Sequence, residues 1–303
     1  MHRKAVVFGE MLWDCFPDKK LPGGAPMNVA LHLQNLGMWT SFISAVGEDP
    51  LGKELVEFME RKNLSPAFVQ SKPLNKTGQV LVNDMDRENI RYDIMEPVAW
   101  DYIEWQKNIQ DEGDRADCFI FGSLAARNQV SRDTLTRLLE TPALKVFDIN
   151  LRLPYYGEDT IKALLYLTDV LKINEEELEV LANMHGCLPK PSFVCKKLLD
   201  TYKLKVVCMT RGAYGALMFD GREFWSHPGY KVDVVDTVGS GDAFLSGFVY
   251  KYLQRSPAED ILEFACALGA LVAGREGGTP GYRVADVEGL KKGWTADSTD
   301  AAD

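Results

Sequence analysis

One pattern recurs along the chain: a short apolar run rich in β-branched residues, followed by a segment with helical periodicity. Short apolar runs predict buried strands, and apolar residues spaced three or four apart predict amphipathic helices. Strands that alternate with helices form a mostly parallel sheet covered on both faces, so the sequence predicts an α/β fold. The predicted strands are residues 5–8, 40–46, 118–121, 146–149, 170–173, 206–210 and 216–219. The predicted helices are residues 27–36, 51–61, 132–140, 159–167, 175–184 and 191–202.

One region departs from this alternation. Residues 77–82 and 90–94 have the pattern of a hairpin, with a polar stretch at 83–89 between them. Together with the segment 14–21 they predict a small antiparallel flap, which would keep water away from a phosphate site. The alternative is an antiparallel extension at the edge of the main sheet, and the sequence does not decide between the two.

The segment 236–244 reads Asp-Thr-Val-Gly-Ser-Gly-Asp-Ala-Phe and leads into a helical pattern that begins near Ala243. Small residues allow a tight turn, so backbone N–H groups and the positive end of the helix dipole meet at one point. Such a turn binds anions, and Asp242 at its edge is a candidate general base for a hydroxyl that attacks a phosphate. The alternative is structural, because Asp is a favoured N-cap and Gly-rich turns precede many helices.

Further candidate residues follow predicted strands, at the edge where parallel sheets bind ligands. They occupy the segments 148–152, 174–177 and 210–215. Because the carboxyl ends of parallel strands meet at one edge of a sheet, these segments are expected to lie close together. The sequence therefore predicts one ligand site built from several distant parts of the chain.

The composition narrows the classes of partner. A net charge of -10 argues against nucleic acid or a membrane surface, although local backbone dipoles can still hold a nucleotide. The sequence has no apolar run of the length that a membrane span needs. The six cysteines form no Cys-x-x-Cys pair and the four histidines do not cluster, so no zinc site is expected. Scattered cysteines without a signal-peptide pattern predict a cytoplasmic protein.

Two signatures carry a family resemblance. Residues 23–30 read Gly-Gly-Ala-Pro-Met-Asn-Val-Ala, and the segment 236–244 follows much later in the chain. Together and in this order they resemble the ribokinase-like (PfkB) family of sugar kinases. Within that family, the first signature and the Asp-Ile-Asn-Leu-Arg sequence at 148–152 are most similar to fructokinases.

The resemblance implies a ribokinase-like three-layer sandwich with a mostly parallel central sheet and a small antiparallel β lid. The lid is expected from about 12–22 and 76–97. A single kinase domain would occupy residues 1–290, and residues 291–303 would form a flexible acidic tail.

By resemblance, Asp14, Gly24 and Asn28 contact the sugar. Glycines let the backbone approach a ligand, and Asn28 can both donate to and accept from a hydroxyl, although a turn before a helix is the structural alternative. The role of Asp14 depends on the resemblance, since an isolated Asp in a loop is ordinarily solvated. Asn150 and Arg152 are further candidates for contact with sugar or phosphate, with an Arg–Asp pair that braces the loop as the alternative.

The resemblance also implies ATP and Mg²⁺. It assigns Asn174 to phosphate and Glu177 to Mg²⁺ through water, whereas an acidic run is ordinarily a solvated helix start. Thr210, Gly212 and Gly215 match the family's nucleotide segment, a pattern that also occurs in many hairpins. These five residues are the predicted nucleotide and metal positions.

The backbone N–H groups of Gly239, Ser240 and Gly241 complete the predicted catalytic set with Asp242. They would stabilise charge on the phosphoryl group as it transfers. Some members of the family bind a monovalent cation such as K⁺ beside the loop that contains Asp236, so this residue is a candidate for that role.

The resulting prediction is an ATP-dependent kinase that phosphorylates a sugar hydroxyl, with fructose favoured. The alternatives are a kinase of the same fold acting on 2-keto-3-deoxygluconate, ribose or a nucleoside, and a non-catalytic sugar or nucleotide sensor. Asp242 argues against a sensor, because a pure binder gains nothing from a base. The expected partners are small molecules, and the resemblance is consistent with a homodimer.

Overall fold

The alternation seen in the sequence appears in the computed structural model, which describes residues 3–83 and 91–293. Within these residues the strands are β1 (Lys4–Phe8), β2 (Leu12–Cys15), β3 (Lys20–Gly23), β4 (Trp39–Gly47), β5 (Val69–Lys72), β6 (Gly78–Asn83), β7 (Arg91–Ile94), β8 (Cys118–Gly122), β9 (Leu144–Asp148), β10 (Val170–Asn174), β11 (Val206–Thr210), β12 (Ala216–Phe219) and β13 (Phe224–His227). The helices are α1 (Ala25–Asn35), α2 (Pro50–Arg61), α3 (Lys107–Asp114), α4 (Gln129–Leu138), α5 (Glu158–Tyr166), α6 (Glu175–Met184), α7 (Pro191–Tyr202), α8 (Ser240–Leu253), α9 (Ala258–Ala273) and α10 (Val284–Gly293).

The main sheet has nine strands in the order β13-β12-β11-β10-β9-β8-β1-β4-β5. Pairing is parallel from β11 through β5, and β12, which pairs with both β11 and β13 at one edge, is the antiparallel strand of this sheet. The predicted parallel α/β sheet is therefore confirmed. The chain moves outward in both directions from β1, which makes a crevice at the carboxyl ends of β1 and β8, where open sheets of this kind bind ligands.

Helices cover both faces of the main sheet, and each face has its own apolar core. In β1 the side chain of Val7 belongs to the core beneath α1, α2, α8 and α9, while Val6 and Phe8 face the core beneath α3 to α7. Burying a side chain as large as Phe8 contributes about 1.5–3 kcal/mol, so the two cores fix the strand register. No helix of the described residues is both long enough and apolar enough to span a membrane.

A second, smaller sheet has the strand order β3-β2-β6-β7. Its two hairpins, β2–β3 and β6–β7, are antiparallel, and a parallel pair between β2 and β6 joins them. This sheet, which we call the lid, is separate from the main sheet, so the flap is confirmed and the edge extension is wrong. Most of the polar stretch at 83–89 lies outside the described residues.

Several elements were not predicted. The strands β5 and β13 are short and partly exposed, with sequences Val-Gln-Ser-Lys and Phe-Trp-Ser-His, so neither has a continuous apolar run. The helix α3 has two buried residues, Ile109 and Gly113, which are too few for a recognisable helical periodicity of apolar residues. The helix α10 continues to Gly293, past the expected domain boundary at 290. The rest of the expected tail, 294–303, lies outside the described residues.

Candidate active site

The turn at the start of α8, residues 239–242, forms the centre of the candidate site, and we call it the anion turn. Gly239 is the N-cap with φ 73°, and a side chain there would overlap the backbone of Gly278, so this position requires glycine. The helix begins at Ser240, three residues before the predicted start, because Ser-Gly-Asp already has helical geometry. Asp242 is thus the third helical residue and not the N-cap, so it makes no N-cap hydrogen bond for this helix.

The N–H groups of this turn differ in their surroundings. The N–H of Ser240 donates a long hydrogen bond of 3.3 Å to the carbonyl of Thr237, and its hydroxyl donates to the same oxygen at 2.9 Å. Gly239 and Gly241 lie on either side, in the first turn, where backbone N–H groups have no intrahelical acceptor. Ser240 is therefore the weaker anion donor of the three predicted residues.

Asn28 and Asp242, 214 residues apart, meet across the packed helices α1 and α8. The amide Nδ2 of Asn28 donates to Oδ2 of Asp242 at 2.9 Å. The helix α1 enters the site tightly, since Gly24 has φ 109° and a Cβ there would lie 2.6 Å from the carbonyl oxygen of Glu10. The two signature segments therefore come together at one point, with the Asp242 carboxylate held in a fixed orientation.

Burial dominates the electrostatics of Asp242. Burial, and after it the negative charge of Asp148, raise the pKa of this carboxyl to about 6. The hydrogen bond from Asn28 and the positive charges of Lys172 and Arg152 act in the opposite direction. A carboxylate with a pKa of about 6 is ionised at neutral pH and still basic enough to accept a proton.

Asp14 lies on the lid strand β2, where it pairs with Leu21 of β3. Its Oδ2 packs directly against Gly23, so that a Cβ at Gly23 would overlap the carboxylate. Burial raises the pKa of Asp14 to about 6, and the charge of Arg152 opposes that shift. Asp14 is therefore not a solvated loop residue, and its carboxylate faces the same cation as Asp242.

The loop after β9 carries Asn150 and Arg152. Asn150 has φ 39°, a left-handed conformation that Asn tolerates better than most residues. Arg152 is exposed and donates to the carbonyl of Leu151 at 3.0 Å. The predicted alternative, an Arg–Asp brace, is not the pairing seen here, because Asp148 binds Lys172 instead at 3.0 and 3.2 Å.

Sequence reasoning missed two buried charges beside the site, Glu10 and Lys172. Glu10 is 3% exposed, and burial raises its pKa to about 7 despite the opposing charge of Arg152. Lys172 is 7% exposed and lies in the otherwise apolar strand β10. A charged residue inside an apolar run was the available signal in both cases, Phe-Gly-Glu-Met at 8–11 and Val-Leu-Lys-Ile at 170–173.

Asn174 and Glu177 form a capping box at the start of α6. The N–H of Glu177 donates to Oδ1 of Asn174, and the N–H of Asn174 donates to Oε2 of Glu177, both at 2.8 Å. Oε1 of Glu177 accepts from the N–H of Leu151 at 2.9 Å. Glu177 is 4% exposed and burial raises its pKa, so it is not the solvated helix start that an acidic run ordinarily indicates. Each of its oxygens keeps a further lone pair, which fits a water bound to Mg²⁺.

A cavity of about 440 Å³ opens beside the α8 turn. Thr210, Gly212 and Gly215 line it, as do Ser240 and Gly241 of the turn. The rest of its wall is largely apolar, and most of it comes from α8, α9 and the segment after β13. The residues are Ala213, Gly229, Tyr230, Lys231, Val232, Val234, Thr237, Phe244, Cys266, Gly269, Ala270 and Ala273. Three of the predicted nucleotide residues and two residues of the anion turn therefore share one cavity, whereas Asn174 does not line it.

Asp236 joins two loops behind the turn. Its Oδ1 accepts from the N–H of Val238 at 3.0 Å, and its Oδ2 accepts from the N–H of Gly277 at 3.1 Å. His32 of α1 reaches the same region, with its Nε2 3.0 Å from the carbonyl oxygen of Gly278. The residues that the structure describes contain no cluster of three or more His, Cys, Asp or Glu that could hold a metal ion.

Comparison with known proteins identifies the family of this chain. A family model of pfkB family carbohydrate kinases matches residues 4–283. The chain is 30% identical over 306 residues to the probable fructokinase-6, chloroplastic, of Arabidopsis thaliana, which covers 91% of this chain and 78% of that protein.

Solved structures share the fold across nearly the whole chain. The fructokinase with bound ATP from Xylella fastidiosa has a TM-score of 0.84 at 23% identity and covers 97% of this chain and 99% of its own. The 2-dehydro-3-deoxygluconokinase from Thermotoga maritima has a TM-score of 0.81 at 20% identity and covers 96% of this chain and 100% of its own. From its sequence match and its fold, the chain belongs to the pfkB family of carbohydrate kinases.

Proposed function

We propose that this carbohydrate kinase transfers the γ-phosphoryl group of ATP to a hydroxyl of fructose. The observation that carries the proposal is the partly buried Asp242, oriented by Asn28 at 2.9 Å and placed in the first turn of α8 beside Gly239. A base in this position has its substrate hydroxyl on one side and an anion turn on the other. The similarity to a probable fructokinase supports the choice of sugar.

The acceptor end favours a neutral polyol. Three carboxyls with raised pKa values, those of Glu10, Asp14 and Asp242, lie there. Arg152 is the exposed cation that acts on all three, and the buried cations Arg127 and Lys172 act on Glu10 and Asp242 respectively. An acceptor that brings its own carboxylate would add a fourth negative charge to a partly buried site, which is electrostatically costly. Hydroxyl groups can instead donate to the carboxylates and accept from Asn28. This charge balance supports fructose over 2-keto-3-deoxygluconate.

At the donor end, the shape of the cavity and backbone groups of the protein hold the nucleotide. The 440 Å³ cavity has room for a nucleoside, and Ser240 and Gly241 form part of its wall, so a nucleotide there could bring its terminal phosphate to the turn. The first-turn amides and the helix dipole then face the transferring group. Glu177 would hold Mg²⁺ through water, and the ion when bound neutralises phosphate charge. Asp236, which braces the turn, is the proposed neighbour of a monovalent cation.

Phosphoryl transfer then needs one proton movement. The acceptor oxygen bonds to the γ-phosphorus, the bond from that phosphorus to the bridging oxygen of ADP breaks, and the hydroxyl proton passes to Oδ1 of Asp242. Asn28 keeps Oδ2 engaged, so the other oxygen of the carboxylate stays directed at the acceptor. Fixed donors of the turn contribute about 3 kcal/mol each, and orientation of the two substrates contributes roughly 7–11 kcal/mol.

The test is ADP release from ATP and Mg²⁺ with a panel of acceptors, comparing the wild-type protein with Asp242→Asn. The panel contains fructose, glucose, ribose, adenosine, 2-keto-3-deoxygluconate and fructose 6-phosphate. We expect turnover with fructose, and a loss of about 10²- to 10⁴-fold in Asp242→Asn with ATP affinity kept.

Each other result has a distinct meaning. Turnover with another acceptor would replace fructose and keep the mechanism. An Asp242→Asn protein as active as the wild type would remove Asp242 as the base. A protein that binds ATP but phosphorylates nothing in the panel would contradict the proposal and favour a sensor.

A further inference from the structure

Beneath the anion turn lies a buried ion pair that the mechanism above does not use. Nζ of Lys172 lies 3.0 and 3.2 Å from the two carboxylate oxygens of Asp148. Both side chains are almost completely buried, with 8% and 7% of their surface exposed. The two residues face each other on the paired strands β10 and β9. A buried pair of this kind stabilises a fold little or not at all, because the cost of desolvation offsets the attraction.

The position of the ammonium is more informative than its pairing. A Cβ built on Gly241 would lie 3.5 Å from Nζ of Lys172, so the ammonium lies directly below the backbone of the turn. Gly241 also lines the nucleotide cavity. Because glycine has no side chain, the ammonium can lie close to the backbone of a residue that lines the cavity.

Lys172 also interacts with the carboxylates on both sides of the turn. Burial opposes its charge, but Asp148, Glu177 and Asp242 together outweigh burial and hold the pKa of Lys172 above its ordinary value. The ammonium therefore stays charged in the folded protein. In a site where water is largely excluded, such a charge acts on its neighbours with little screening.

We propose that Lys172, held in place by Asp148, is a positioning residue for phosphoryl transfer: its ammonium adds fixed positive charge beneath the Gly241 turn and acts on the base Asp242. This inference rests on the proposed function. Lys172 acts through the turn and through Asp242, and Asp148 sets where the ammonium lies. Five side chains from different parts of the fold influence the pKa of Asp242. They are Asn28 of α1, Glu10 after β1, Asp148 of β9, Arg152 after β9 and Lys172 of β10.

The first test compares the pH dependence of kcat/KM in Lys172→Met and Asp148→Asn. Removing the ammonium takes away a charge that lowers the pKa of Asp242, so the acid limb near pH 6 should move upward. Removing the carboxylate takes away a charge that raises it, so the limb should move downward. A pair with only a structural role would not give shifts of opposite sign.

The second test follows turnover and nucleotide binding. In Lys172→Met we expect kcat to fall about 10- to 100-fold, as when a supporting residue next to a reactive group is removed. The affinity for ATP should fall more than the affinity for ADP, measured by calorimetry, because only ATP brings a phosphate to the turn. Lys205→Met is the matched control, since Lys205 pairs with Asp169 at 3.0 Å and is 58% exposed. It should change none of these quantities.

The double variant Asp148→Asn/Lys172→Met guards against misfolding, because it leaves no uncompensated buried charge. It should melt near the wild-type temperature while keeping the reduced kcat and the reduced preference for ATP. Wild-type kcat in this folded double variant, an unchanged ratio of ATP to ADP affinity, or pH shifts of the same sign in the single variants would each overturn the proposal. If no acceptor is phosphorylated, the proposed function fails, and the ratio of nucleotide affinities still decides the role of Lys172.

Discussion

The acceptor end and the donor end of the candidate site consist of different kinds of chemical group. At the acceptor end, charged side chains converge from the lid, the loop after β9 and α8, and Arg152 acts on the carboxyls of both Asp14 and Asp242. At the donor end, a cavity of about 440 Å³ is lined mainly by backbone, small residues and apolar side chains. The contrast indicates that acceptor choice depends on the placement of a few carboxylates, whereas nucleotide binding depends on the shape of a wall. Three predictions follow from this contrast. The first two test the acceptor end and the donor end separately, and the third tests the electrostatic cost of the Asp242 carboxylate.

The largest effect is expected at the acceptor end, in Gly23→Ala. The new methyl group would overlap Oδ2 of Asp14 and push this carboxylate out of the site. Because a displacement of about 1 Å can cost on the order of 100-fold, we expect the KM for fructose to rise about 10- to 100-fold while the KM for ATP stays within about twofold. Steady-state kinetics with each substrate varied in turn measures both. Gly289→Ala in α10, where a Cβ meets open space, is the control.

An unchanged fructose KM in Gly23→Ala would show that Asp14 does not contact the acceptor. Equal losses for both substrates would show that the two ends are not independent. Either result would contradict the contrast on which the prediction depends.

A smaller effect is expected at the donor end, in Ala270→Leu. Ala270 lies on α9 and lines the nucleotide cavity, so a larger side chain there takes up volume needed by the nucleotide. We expect the KM for ATP to rise about tenfold, which corresponds to roughly 1.4 kcal/mol of lost binding, with the fructose KM unchanged. Calorimetry with ADP should show the same loss. Unaltered nucleotide affinity would mean that the nucleotide lies elsewhere.

The smallest effect concerns stability. Because burial raises the pKa of Asp242 from 3.8 to about 6, ionised Asp242 destabilises the free protein at neutral pH. This penalty is absent below pH 3.8, grows as the pH rises towards 6, and is complete above it. Asp242→Asn should therefore raise the free energy of unfolding by about 1–3 kcal/mol at pH 7 and by little at pH 4. Urea unfolding at the two pH values measures this, and a loss of stability at pH 7 would mean that the carboxylate supports the fold.

The fold was the more predictable part of the molecule. Strands such as β1 and β10 are nearly continuous apolar runs because both of their faces are buried, and this signal is visible without any tertiary information. The edge strand β5 gave no such signal, since its residues are only partly buried. The start of α8 was also placed too late, because Ser240 and Gly241 are poor helix formers that the packing of the turn holds in helical geometry.

The site was predictable only where its residues sit in short local patterns. The segments around Asn28 and Asp242 can be recognised in one dimension, and the structure brings them to a hydrogen bond of 2.9 Å. Lys172 and Glu10 could not be placed in this way, because what distinguishes them is burial next to charges from other strands. The electrostatic environment of a residue is a property of the assembled fold, so sequence patterns identify the reacting groups before they identify the groups that tune them.

Two separate segments of the chain form the lid. One hairpin lies in the connection from β1 to α1, and the other follows β5. Neither hairpin pairs with the main sheet, so either can be lengthened, shortened or replaced without changing the register of the nine strands. Under the proposed function, changes in the exposed parts of two hairpins would alter which acceptors fit, while Asp242 and the nucleotide cavity stay where they are. The range of its acceptors can therefore diversify much faster than its chemistry.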